Sequence, residues 1–502
     1  MRLLYSHSLY SWCLATKTSN MSEELKSNWV LILSFLFIMT NSALIALEQY
    51  WFAVIPFALV LLFMAFVATD KLIWFIVFTT PLSLNLEALE FGGIGMFLPT
   101  EPLLFGVMLI FILRVLYDRR YDMSVLKHPI TIAILINLAW VIITTLTSTL
   151  PFVSLKYLLA RLWFIIAFYF IATQLFKKVE NIRLFFWLYL IPLACVALYT
   201  FLHHSKYGFA ERPAHWVMQP FFKDHTVYGA VVAMMFPIMI LLFLLKRYKK
   251  YRVISALMIV VLALGIIFSY GRAAWISLLV AFTVSLIYLL RLKGTFVLSA
   301  AGLVLIFVGF FWTDIINTLE KNEQDSTSEN LGEHVQSITN ISTDASNLER
   351  INRWNSAFEM FRRKPILGWG PGTYAFQYAP FQSSDDVTII STNAGDGGNA
   401  HSEFIGPLAE SGILGVFTFI SILVVFYYRA SILYYRLPKG ELRTIVFFVI
   451  LAFTSYIING ILNNFLDTDK ASVPFWSFIA IIVAIDLNYK RFLVKETEQL
   501  EK

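Results

Sequence analysis

Four polar regions of this chain have residue types and placements that could carry chemistry. Arg272 ends Ser269-Tyr270-Gly271-Arg272, between two long apolar runs, and Arg350 follows Ser346-Asn347-Leu348-Glu349. His401 stands near the start of NAHSEFIGPLAESGILG at 399–415, and Asp224 and His225 lead into a further apolar run. A guanidinium stays charged at every physiological pH and meets an oxyanion with two parallel donors, so the arginines could clamp a phosphate or pyrophosphate. A neutral imidazole could take a proton from a hydroxyl, and a helix start at His401 would favour the neutral form. Plainer readings stand beside these. Arg272 could snorkel to the membrane interface, Arg350 or its neighbour Arg353 could pair with Glu349 or Asp344, and His401 could simply be exposed. Lys156 and Arg161, at the outer end of another apolar run, extend the basic lining. Glu410 lies nine residues after His401, about 180° around a straight helix. It reads as a structural hydrogen-bonder at a helix end. His203, His204, His215 and His225 match no ligand spacing, so neither a metal nor another cofactor is expected.

These groups need a scaffold, and the composition says what kind. Of 502 residues, 58% are hydrophobic and 14% charged, against roughly 25% charged in soluble domains. The fold class expected is all-α, a polytopic membrane protein of about 12–14 spanning helices. Fourteen apolar runs are candidates, because about 20 residues cross the hydrocarbon core. They fall near 29–47, 51–68, 72–84, 102–117, 129–149, 157–176, 183–202, 226–245, 253–269, 273–290, 295–313, 413–428, 444–462 and 473–487. The third is short and carries Pro81, which suggests a re-entrant or half-spanning element. The net charge of +6 comes in short basic clusters between runs, a pattern of topology and not of nucleic-acid binding. Cys13 and Cys195 are too few and too far apart for a disulfide framework. The first 20 residues lack a sustained apolar core, so no cleavable signal is expected and Met21 is the expected start.

Most of the 39 Lys and Arg residues fall in alternate connections, with examples at Lys246–Arg252 and Arg429–Arg443. The positive-inside rule puts those connections and both termini in the cytoplasm. The segments 85–101, 150–156, 203–225, 270–272, 314–412 and 463–472 then face outward. The resulting organisation is a cytoplasmic tail at 1–28, spans at 29–313, a large outer loop at 314–412, three spans at 413–487 and a cytoplasmic tail at 488–502. Within the loop, an acidic stretch (Glu320, Glu323, Asp325, Glu329, Glu333) precedes a capping box at Ser346–Glu349. Leu348, Ile351, Trp354, Phe358 and Phe361 then recur at helical spacing to about Arg363. Pro365 and the turn Gly368-Trp369-Gly370-Pro371-Gly372 stop that helix, making Gly370 a structural residue. After a Gly/Asp-rich stretch (393–398), a second short helix is expected from about Ala400 to Glu410, capped by Gly412.

In this setting the motifs resemble the bacterial O-antigen ligase and polymerase superfamily of integral-membrane glycosyltransferases. Phe222-Lys223-Asp224-His225-Thr226-Val227-Tyr228-Gly229, Ser269-Tyr270-Gly271-Arg272 and Arg350 to Trp354 carry the likeness. So do Pro365 to Gly372, His401-Ser402-Glu403-Phe404 and Glu410-Ser411-Gly412-Ile413-Leu414-Gly415, in that order over about 220–415. Ser402 stands where asparagine is common, and fourteen runs exceed the usual twelve spans. The resemblance implies a periplasmic loop packed over a cavity open to the outer leaflet of the inner membrane. It implies metal-independent transfer of a glycan from undecaprenyl diphosphate to an acceptor glycan, either lipid A-core or a growing polymer. Arg272 and Arg350 would grip the diphosphate, and His401 would take the acceptor's proton. Arg161, Asp224, Arg353 and Lys156 would help bind substrate. The partners implied are the lipid-linked glycan, its acceptor and the bilayer, with no nucleic acid. A polymerase or a protein O-oligosaccharyltransferase would share the chemistry but differ in acceptor. A polysaccharide transporter would instead need polar groups along a midplane path, where these runs are almost wholly apolar.

Overall fold

Ten helices among the described residues are long and apolar enough to cross a membrane. The computed structural model describes residues 23–49, 51–85, 97–118, 122–292, 345–383 and 398–500. The chain is an all-α polytopic membrane protein. The candidate run at 295–313, the acidic stretch at 320–333, Asp344, residues 393–397 and the segment around Met21 lie outside the described residues.

The chain divides into two units, Met1–Thr69 and Asp70–Lys502. In the first, α1 (Glu23–Ala46) contains a shorter apolar stretch, Leu31–Ala46. The run at 51–68 is not one span. It opens as a 3-10 turn (Trp51–Val54) and continues as α2 (Ile55–Val67), only 13 residues long. At 1.5 Å per residue α2 reaches about 20 Å, short of a hydrocarbon core of about 30 Å.

The second unit starts with α3 (Thr69–Thr79), which ends in a 3-10 turn (Thr80–Leu82) holding Pro81. Its 11 residues do not span a bilayer either. A two-residue antiparallel pairing of β1 (Leu84–Asn85) with β2 (Phe97–Leu98) follows. The long helices are α4 (Thr100–Asp118), α5 (Pro129–Leu146), α6 (Pro151–Ile165, helical on to Leu175), α7 (Val179–Ser205) and α8 (His225–Leu244). After α9 (Arg252–Ile267) and α10 (Arg272–Leu289) comes the loop helix α11 (Ala345–Arg363). The last three are α12 (Ile405–Arg436), α13 (Glu441–Leu462) and α14 (Asp469–Leu500).

The most enclosed elements are α8 and α14, whose apolar windows are 78% and 89% buried, so they form the bundle's centre. Segments that the charge pattern assigns to one side meet at one end of the bundle. Thr149 N donates to Trp369 O (3.0 Å), and the Tyr270 hydroxyl to Phe209 O (2.7 Å). At this end Asp469 and Lys470 are fully buried. Asp469 accepts from Ser83 (2.5 Å) and Thr100 (2.6 Å), while Lys470 Nζ donates to the carbonyls of Thr80 (2.7 Å) and Ser83 (2.9 Å). Such a pair survives burial only because each charge is hydrogen-bonded. It fastens the end of α3 and the starts of α4 and α14 together. Farther along α14, Asp486 receives His128 (3.1 Å) and Arg429 Nε (3.0 Å) and ties α5 and α12 to it.

Candidate active site

A turn, a helix break and two helix starts build the site. The turn at 365–372 has positive φ at Gly368, Gly370 and Gly372 (68°, 117°, 73°). It packs backbone to backbone on the beginning of α12. Trp369 N donates to Ala409 O (3.1 Å), Gly370 N to Glu410 O (2.8 Å), and Ile413 N to Pro365 O (3.0 Å). A Cβ on Gly370 would stand 2.0 Å from Ser148 Oγ, so only glycine allows this approach. Gly412 interrupts α12 with φ 68° and ψ −171°. The second loop helix therefore starts later than the sequence suggests, at Ile405. Gly412 ends it with a positive φ, and a second helix continues from there into the span. The Glu410 carboxylate accepts from Tyr374 N (3.1 Å), at the far side of the same turn.

Residues 399–404 form a tight turn held from two directions. On one side, α11 supplies Arg353 Nη1 to Asn399 O (3.1 Å) and Trp354 Nε1 to Ala400 O (3.0 Å). On the other, Glu403 Oε1 accepts from the Tyr456 hydroxyl (2.7 Å), Phe465 N (2.7 Å) and Leu466 N (2.9 Å). Glu403 N also donates to Gly460 O (2.8 Å). Between these fixings His401 takes φ 47°, a left-handed conformation uncommon outside glycine and asparagine, with its N–H on Asn399 Oδ1 (3.0 Å).

Arg272 is the first residue of α10, behind the cap residue Gly271. Arg350 sits in the second turn of α11, two residues deeper than the capping box predicts, because that helix begins at Ala345. Burial first, and then the charge of Arg272, push the Arg350 guanidinium down to about 10. The two cations are thus close enough to repel. Glu211, whose carboxyl is raised by burial and lowered by His215 and Arg272, borders the same space. The His215 and His225 rings lie edge to face at 4.1 Å beside it. Asp224 caps α8, its Oδ1 accepting from Thr226 N (2.8 Å) and Val227 N (3.1 Å).

The His401 imidazole is pushed down to about 3, by burial first and then by Arg353 and Arg350, against the opposing charges of Asp224 and Glu349. The neutral form expected from the sequence is thus favoured, but not for the expected reason. No helix begins at His401; protein packing and two guanidiniums do the work. Arg350 on α11 is thus linked electrostatically to Arg272 on α10 and to His401 in the 399–404 turn.

These residues lie in a region with a known likeness. Residues 257–420 match the O-antigen ligase family. The match covers about a third of the chain and supports the O-antigen ligase and polymerase superfamily. No curated protein matches the chain. The ligase-family region contains Arg272, Arg350, His401, Glu410 and Gly412, whereas Lys156, Arg161 and Asp224 precede it.

Two residues read from the sequence as substrate-binding have contacts of their own. Arg353 is 9% exposed and directs its guanidinium inward, to Glu349 Oε1 (2.7 Å), Asn399 O and the Tyr378 ring (5.5 Å). Its donors hold the 399–400 backbone against α11. Lys156 is exposed and its charge acts on Glu101. Sequence reasoning passed over Glu403 and Asp467. Ionisable groups at the ends of apolar runs were the available signal.

Proposed function

We propose that the chain is a glycosyltransferase that moves a glycan from undecaprenyl diphosphate to a hydroxyl of an acceptor sugar, lipid A-core, at the periplasmic face of the bacterial inner membrane. The observation that carries this reading is the approach of Arg272 to Arg350 next to His401. Two guanidiniums at a helix start and in a helix's second turn suit the two charges of a diphosphate, since helix N-termini also attract anions. The acceptor oxygen attacks the anomeric carbon, the bond from that carbon to the phosphate oxygen breaks, and the diphosphate leaves with the electron pair. Arg272 and Arg350 stabilise the charge that gathers there. The acceptor's proton passes to the neutral His401 ring.

A pKa near 3 makes a weak base, and the field of Arg350 is one reason for the low value. A bound diphosphate offsets that field, so the donor itself strengthens the base. Arg353, Glu403 and Glu410 act by position. The test is single replacement of Arg272, Arg350 and His401 by alanine, followed by inspection of surface polysaccharide and lipid-linked intermediates. Unsubstituted lipid A-core with accumulated lipid-linked polymer supports the reading. Chains cut to one repeat would reassign the acceptor to the growing polymer, and normal product from three stable variants would overturn the enzyme.

A further inference from the structure

Arg161 lies within α6, in a spanning helix, and is only 8% exposed. Its Nε is shut off from solvent with no hydrogen-bond partner, and among the described residues its guanidinium makes no ion pair. The rings of Trp476 and Phe419 lie 5.2 and 5.8 Å from its central carbon. An unsatisfied cation at this depth is costly and marks a site where polar matter enters.

Asp467 provides the facing group. Asp467 is exposed, and its charge acts together with those of Lys223 and Arg161. Its neighbours Phe465 and Leu466 both donate to Glu403, and the adjoining Phe404 ring lies 5.8 Å from Phe419, one of the two rings beside Arg161. The 401–404 turn stands between two groups of charges. His401 feels Arg350, whereas Glu403, two residues on, feels Asp467 and Arg161. Lys223 and Asp224 divide in the same way between the two sides. Asp467 and Glu403 make the second side unsuited to another phosphate. A guanidinium and a carboxylate near each other but unpaired, before an aromatic wall, suit a neutral ligand with adjacent hydroxyls.

The geometry points to Arg161 and Asp467 as a saccharide subsite that reads the hydroxyls of a sugar ring beside the diphosphate position. This rests on the glycosyl-transfer reading above. The test uses the full chain in nanodiscs and measures binding of three probes. They are a short polyprenyl diphosphate, the same lipid diphosphate bearing an N-acetylhexosamine, and an acceptor oligosaccharide. The variants are Arg161→Met and Asp467→Asn, with thermal unfolding recorded for each. Affinity for either the sugar-bearing donor or the acceptor falls at least about 10-fold, one hydrogen-bonded contact's worth, while the sugar-free diphosphate binds as before. The probe that weakens identifies the ring. Equal weakening of the sugar-free diphosphate, or no weakening in a folded variant, overturns the subsite. Failure of the unaltered protein to bind any lipid diphosphate would instead overturn the underlying transferase reading.

Discussion

The Tyr456 hydroxyl donates to Glu403 Oε1 at 2.7 Å, joining α13 to the turn that carries His401. The same oxygen takes two backbone N–H groups from the 463–468 connection, so one atom fixes three pieces of chain. Glu403→Ala strands all three donors and is expected to cost on the order of 3 kcal/mol, whereas Tyr456→Phe costs about 1 kcal/mol. Thermal unfolding in detergent measures both. Glu403→Gln, which keeps an acceptor oxygen, falls between Glu403→Ala and the unaltered protein.

Arg272 and Arg350 act on one anion in the proposed mechanism, so their losses do not add. Each alanine variant is expected to lower turnover of a lipid-linked donor about 100-fold or more. The double variant falls by less than the product of the two. Lysine at either position restores part of the rate, because it keeps the charge without the bidentate fork. Rates measured on purified protein with a synthetic donor decide this.

The pH profile follows from what holds His401 neutral. The imidazole of the free protein is pushed down to about 3, so kcat/KM, which reports the free protein, keeps its acid limb far below neutrality. The acid limb of kcat, which reports the donor complex, lies at higher pH because the diphosphate offsets Arg350. Arg350→Gln raises the limb of kcat/KM, since it removes a charge that depresses the ring. Stability follows the same shift. A histidine depressed from about 6.5 binds fewer protons folded than unfolded, so its contribution is present above about 6.5 and lost as pH falls toward 3. A coincident acid limb in both parameters would count against His401 as the base.

Gly412→Ala tests the helix break. A Cβ there would stand 2.0 Å from Ile366 O, at a φ of 68° that side chains rarely adopt. The strain alone is about 1–3 kcal/mol, and the clash adds to it. Gly106→Ala is the control, for its added Cβ meets nothing within 4 Å in the middle of α4. It is expected to leave stability unchanged or raise it by up to about 1 kcal/mol. Yield of folded protein and unfolding temperature separate the two.

The spanning helices and the motif order were legible because both are local properties of the chain. Continuous apolar length marks a span wherever it packs, and the Ser346–Glu349 capping box placed the start of α11 to within a residue or two. The division of labour between Arg350 and Arg353 was not legible. Both follow Glu349 on one helix, and besides Glu349 itself it is Asn399, 46 residues away, and the Tyr378 ring that claim Arg353. Glu403 was hidden for the same reason, since its partners at 456–466 are remote in sequence and its own neighbours are unremarkable. The broken run at 51–68 misled because hydropathy records apolar length and not helix continuity.

The contact between the 365–372 turn and the break at Gly412 has a consequence for how this region tolerates change. From Arg350 a path runs down α11, through the turn, across the Gly370–Glu410 hydrogen bond, and back along the start of α12 to His401. A second crossing, Trp354 to Ala400, closes that path into a ring. The spacing of the two side chains is therefore set by a closed hydrogen-bonded circuit. A side chain at Gly370 or Gly412 would force that circuit open and let the register of arginine and histidine slip, so these two positions are the least tolerant of substitution in it.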